Sequence, residues 1–221
     1  MSLLTRKSVS FRKALLFIIL PTLIIGFTSF DKGGDEGLSL GSKAPLITRK
    51  MEATDGSSYS LLDMKKSNGL IVVFSCNTCP FVVGGEKFVG WERQYNDLYA
   101  YAEKNSIGFV LINSNEAKRD GDDSMKEMIA HGEDAKYAMS YLIDENSMLA
   151  DAMGAKTTPH IFAFNVKDKL IYKGSIDNSW DSKRKDLSKY LYNVMDHLGD
   201  GTKLKENSTP PRGCSIKRVK L

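Results

Sequence analysis

Leu70-Ile-Val-Val-Phe74 is an unbroken apolar run, and Ser75 alone separates it from Cys76-Asn77-Thr78-Cys79. Such a run is the mark of a strand buried on both faces, so the sheet that holds it needs a covering layer on each side. Ile107-Gly-Phe-Val-Leu-Ile112 makes the same demand. Between them, Phe88, Trp91, Tyr95, Leu98 and Ala102 recur every three or four residues, which predicts one long amphipathic helix over 81–104. Further along, the sequence predicts a helix over 123–136 with Asp122 or Asp123 as its N-cap. A short strand at 141–143 and a short helix at 147–153 follow. A hairpin (161–164 and 170–172, turning at Lys167-Asp168) and a last helix over 186–198 complete the body. Upstream, 44–62 with a turn at Asp55-Gly56 reads as an added amino-terminal hairpin. The order β-α-β-α-β-β-α is that of an α/β sandwich.

Of the chain's 221 residues, 42% are hydrophobic and 26% charged, a balance that excludes a disordered polymer and a multi-span membrane bundle. The net charge of +4 is carried by Arg6, Lys7, Arg12 and Lys13, in a stretch of thirty residues without an acid. The remainder balances, so a basic surface for nucleic acid is not expected. Those bases precede an apolar stretch at 14–30, interrupted by Pro21 and softened by Gly26, Thr28 and Ser29. A positive start followed by an apolar core is the pattern of a secretory signal. It reads equally as an uncleaved anchor tethering the chain to a membrane, and either places the body outside the cytoplasm. The expected organisation is an export segment at 1–30, a linker at 31–43, the α/β domain at 44–198 and a basic tail at 199–221.

The C-x-x-C pair gains its meaning from its place between a buried strand and a helix. At a helix N-terminus, unpaired N–H groups and the positive end of the dipole favour thiolate over thiol, and the thiolate is what attacks a disulfide. Cys76, at the outer end, is the expected nucleophile, and Cys79, one turn further in, the resolving partner. A structural zinc site would want a second ligand pair, which the sequence lacks; a structural disulfide is the other plain reading. Thr157-Thr158-Pro159 stands before the strand at 161–164. A cis Thr158–Pro159 bond would turn the backbone of Thr158 outward beside the sulfurs, where an extended substrate segment could pair with it. We therefore count Thr158 and Pro159 with the catalytic residues.

Together these features resemble the thioredoxin fold, a three-layer α/β/α sandwich here extended by the amino-terminal hairpin. The finer resemblance is to the peroxiredoxin-like branch of the AhpC/TSA group. It is carried by Gly41-Ser-Lys-Ala-Pro45, Phe74-Ser-Cys-Asn-Thr-Cys-Pro-Phe81, Ile112-Asn-Ser-Asn115, Thr158-Pro-His160, Tyr172-Lys-Gly-Ser-Ile-Asp177 and Gly213-Cys-Ser-Ile-Lys217. Two departures qualify what it implies. The P-x-x-x-[T/S]-x-x-C pattern of peroxide-reactive cysteines is absent, because the positions counted back from Cys79 are Cys76 and Val72, and those from Cys76 are Val73 and Gly69. The buried acid that thioredoxins carry six residues before the first cysteine is here Leu70, leaving Glu86 as one substitute base.

The function expected is an exported thiol–disulfide oxidoreductase. Its partner would be a disulfide-containing protein or a small thiol, with a separate thiol reductant. No cofactor is expected, since the sulfurs carry the electrons. The alternatives are a thiol-dependent peroxidase and a copper-delivery module using Cys76, Cys79 and His160. Cys214, in the basic tail, reads as a docked, unpaired thiol, with exchange against Cys76 as the sharper alternative. His131 and His197 read as surface residues, Trp91 and Trp180 as packing, and Asn113-Ser-Asn115 as a strand end that either lines the site or caps a loop.

Overall fold

The computed structural model describes residues 37–86 and 88–219. The two apolar runs become strands β3 (Leu70–Ser75) and β4 (Gly108–Asn113), parallel and in register from Leu70 opposite Gly108 to Ser75 opposite Asn113. β5 (Tyr141–Ile143) extends the sheet beside β4. On the other side of β3 lie β7 (His160–Phe164) and β8 (Leu170–Gly174), both antiparallel to their neighbours. The five-stranded order is β5-β4-β3-β7-β8. The turn that joins β7 to β8 places Asp168 at a φ of 60°.

Alternation along β3 sends Ile71 and Val73 into one core and Leu70, Val72 and Phe74 into the other. The first is covered by α3 (Tyr95–Lys104), α4 (Met125–Asp134) and α6 (Tyr190–Asp200), through Leu98, Met128, Val194 and their neighbours. The second is covered by α1 (Leu61–Met64), α5 (Met148–Met153) and the amino-terminal hairpin β1 (Met51–Glu52) and β2 (Ser58–Tyr59), which bring Leu61, Leu149, Met153 and Met51. This is the thioredoxin-like α/β/α sandwich with its amino-terminal hairpin.

Four expectations are corrected. The long helix over 81–104 is two helices: α2 (Pro80–Val83) is a single turn, and the chain resumes helix only at Glu92. Gly84 and Gly90 hold φ of 101° and 77°, a region open to glycine, and a Cβ on Gly90 would fall 2.3 Å from the Val82 carbonyl oxygen. The cap of α4 is Ser124, whose hydroxyl accepts from the Glu127 N–H, so Asp122 and Asp123 are free for other work. The tail and the end of the linker are built into the domain. Leu38 and Gly41 donate to the carbonyls of Met153 and Leu170, and Ile216 is buried in the second core. The last helix begins at Tyr190 rather than 186, leaving Leu187 exposed. Among the described residues no helix is long and apolar enough to cross a membrane; the export segment expected at 1–30 lies outside them.

Candidate active site

β3 ends at Ser75, and the chain then turns through Cys76, Asn77 and Thr78 before α2. The expectation that Cys76 crowns the helix is not met. Cys79 is the N-cap of α2, followed by Pro80 in the first helical position, and Cys76 lies in the turn before it. A one-turn helix carries little dipole, so individual donors set the charge on the sulfurs. Both are shielded, Cys76 at 2% and Cys79 at 3% exposure.

The two thiols are coupled, and their surroundings divide the proton unequally. The Cys76 thiol is pushed up by its hydrogen bond to Cys79, by burial and by the charge of Asp123; the Thr158 hydroxyl opposes the shift. Cys79 is brought down to about 5 by that same bond from Cys76, reinforced by the Cys214 thiol and by the N–H groups of Cys214 and Phe81, against the cost of burial. The Thr158 carbonyl oxygen, 3.0 Å from Cys79 Sγ, accepts the thiol proton when it is there and so pulls the other way. It is one acceptor against several donors, and the donors prevail. These surroundings favour the thiolate on Cys79 over Cys76, the reverse of the order expected from the sequence.

Thr158 serves both sulfurs. Its hydroxyl lies 3.1 Å from Cys76 Sγ and its carbonyl faces Cys79. The Thr158–Pro159 bond is cis. Thr158 belongs to β6 (Thr157–Thr158), but its outward edge is not open. The chain's own β9 (Cys214–Ser215) is paired antiparallel to it, Thr158 opposite Cys214. The Cys214 N–H donates to Cys79 Sγ at 3.3 Å. Cys214 is thus docked, as expected, and it sits against Cys79, whereas the alternative expectation paired it with Cys76. The three cysteines, Asn115, Lys118 and Lys217 help to line a cavity of about 100 Å³.

Behind the pair lies a buried polar network of which the sequence reading had only Asn113-Ser-Asn115, as a strand end lining the site or capping a loop. Asp123 is 0% exposed, and its Oδ1 accepts from the Asn77 N–H (3.0 Å) and Asn113 Nδ2 (2.7 Å). Its Oδ2 accepts from Asn115 Nδ2 (2.9 Å). Tyr141 Oη donates to Asn77 Oδ1 and accepts from Asn113 Nδ2. The network fixes the turn between the cysteines and sets a buried carboxylate beside Cys76, the part proposed above for Glu86. Glu86 itself is exposed. The only sequence signal was the cluster of short polar residues after β4.

His160 does not join the sulfurs. Its ring accepts from the Lys156 N–H (3.2 Å), lies tilted against the Phe162 ring and lines a separate cavity with Lys173 and Thr209. Burial and the charges of Lys173 and Lys156 hold it down at about 3. Among the described residues no group of three or more His, Cys, Asp or Glu side chains is placed to hold a metal ion. The copper set Cys76, Cys79 and His160 is not assembled. Trp91 is buried with its Nε1 donating to Asp177 (2.7 Å), and Arg212 packs over Trp180. His131, expected at the surface, is partly buried against Glu92 at 2.5 Å.

Among solved structures, an uncharacterised conserved protein from Geobacillus kaustophilus is 30% identical with a TM-score of 0.72, over 82% of this chain and 93% of that one. A hypothetical protein from Sinorhizobium meliloti 1021 is 25% identical with a TM-score of 0.71, over 82% and 96%. The thioredoxin domain of a thiol-disulfide oxidoreductase from Bacteroides vulgatus shares the fold at 17% identity and a TM-score of 0.52, over 74% and 99%. No curated protein matches. Residues 39–191, from just before the amino-terminal hairpin into the last helix, match Redoxin, and the chain belongs to the redoxin family.

Proposed function

We propose that this redoxin is an exported thiol–disulfide oxidoreductase whose Cys79–Cys76 pair exchanges disulfides with a protein or small-thiol partner. The Cys79 thiolate attacks a substrate disulfide, one substrate sulfur leaves as thiolate, and a mixed disulfide forms on Cys79. Cys76 then attacks Cys79 Sγ, the second substrate sulfur leaves and takes up the proton, and the pair is left oxidised. Two electrons pass to the substrate, and a separate thiol reductant restores the pair. The same steps run backwards oxidise a dithiol, the direction being set by the reduction potentials on each side.

The observation that carries this reading is a buried dithiol held against Thr158, with the Cys214 N–H donating to Cys79 Sγ at 3.3 Å and donors that bring Cys79 down to about 5. Export is supported by the basic start and apolar stretch of the first thirty residues, which would tether the chain if uncleaved. The test is reduction of a protein disulfide such as insulin's with a thiol reductant supplied. Cys79→Ser should lower the rate at least about 100-fold, and Cys76→Ser, which keeps the attacking sulfur, should still form the mixed disulfide. Undiminished turnover by Cys79→Ser would overturn the proposal.

A further inference from the structure

The mechanism above uses two of three adjacent sulfurs. Cys79 feels both Cys76 and Cys214, each of which lowers its pKa, and all three sulfurs line one cavity. Cys214 is not a loose tail residue. Its N–H lies 3.3 Å from Cys79 Sγ, which fixes its Cα one covalent bond from that contact. β9 is held on both sides of it: Gly213 passes so close to Thr158 that a Cβ would fall 2.2 Å from the carbonyl oxygen, and beyond Ser215 the Ile216 N–H donates to Lys156 O (3.0 Å). The Lys217 N–H then donates to Asn115 Oδ1 (2.8 Å), within the network that carries Asp123.

We infer that Cys214 is a third redox residue, which resolves disulfides formed on Cys79 in competition with Cys76. The step balances without an outside oxidant. The Cys214 sulfur attacks Cys79 Sγ of a mixed disulfide, the Cys79–substrate bond breaks, a Cys79–Cys214 bond forms, and the departing substrate thiolate takes the proton that Cys214 loses. Against a Cys76–Cys79 disulfide the same attack expels Cys76 as a thiol and only moves the bond.

Several features suit Cys214 to this. The Cys76 sulfur must ionise beside the buried Asp123 carboxylate, whereas Cys214 has Lys217 nearby. The thiol is raised to about 11 by burial and by its bond to Cys79, and the second cause vanishes once Cys79 is in a disulfide. The inference rests on the proposed exchange chemistry at Cys79, but its test needs no natural substrate.

The experiment treats reduced Cys76→Ser protein with Ellman's reagent, an aromatic disulfide, and follows thionitrobenzoate release together with intact mass. Attack by Cys79 releases one equivalent and leaves an adduct. Cys214 should expel the second, returning the protein to the mass of an internal disulfide, with Cys79 and Cys214 joined in one pair of peptides. Cys76→Ala should behave alike, guarding against an effect of the serine hydroxyl, and adding Cys214→Ser should make the adduct persist. A persistent adduct in Cys76→Ser, a double adduct, or thiols that stay unlabelled would overturn the inference. If insulin reduction fails while the internal disulfide still forms, the proposed function falls and the third sulfur stands.

Discussion

At the scale of single residues, the sulfurs owe their difference to what faces them. Cys76 keeps its proton through its hydrogen bond to Cys79, through burial and through Asp123, and Cys79 is met by donors. The cysteine pair and Thr158-Pro159 were legible in the sequence because their chemistry lies in a local pattern. Asp123 was not: its partners Asn77, Asn113 and Asn115 come from different segments, and locally it looked like a helix cap. Burying this carboxylate is offset only by the donors gathered round it, so its removal should be costly. Asp123→Ala would strand three buried donors and should lower stability by about 3 kcal/mol, read by chemical denaturation. A loss below about 1 kcal/mol would mean that the network is not what holds the turn.

At the scale of elements, strand positions followed directly from apolar runs, since a strand buried on both faces has few other ways to be written. Helix limits were harder. The three-to-four spacing of Phe88, Trp91 and Tyr95 continues across a break, because these side chains enter the same core whether or not the backbone between them is helical. The warning was there in Gly84, Gly85 and Gly90. The role of the tail was invisible for another reason: a two-residue strand such as β9 has no periodicity, and its pairing with Thr158 is made across more than fifty residues of sequence. That pairing depends on Gly213. Gly213→Ala should push β9 from β6, cost roughly 1–3 kcal/mol of stability and raise the rate at which Cys79 is alkylated in the native state. An unchanged alkylation rate would show that β9 does not shield the sulfur.

For the whole molecule, the site exists only when distant parts of the chain meet. The end of β3 and the start of α2 supply the cysteines, β6 supplies Thr158, and β9 supplies Cys214 and lines the cavity. An acidic Cys79 is thus a property of the C-x-x-C pair, which supplies the Cys76 thiol, together with the fold, which adds the Cys214 and Phe81 donors. The decisive measurement is site-resolved alkylation of the fully reduced protein across pH, folded and in urea, with each cysteine followed by peptide mapping. In the folded protein Cys79 should be modified first, its relative rate rising through about pH 5, and in urea its midpoint should return to the ordinary thiol value near 9. Modification of Cys76 ahead of Cys79, or a Cys79 midpoint that unfolding leaves unmoved, would contradict the account.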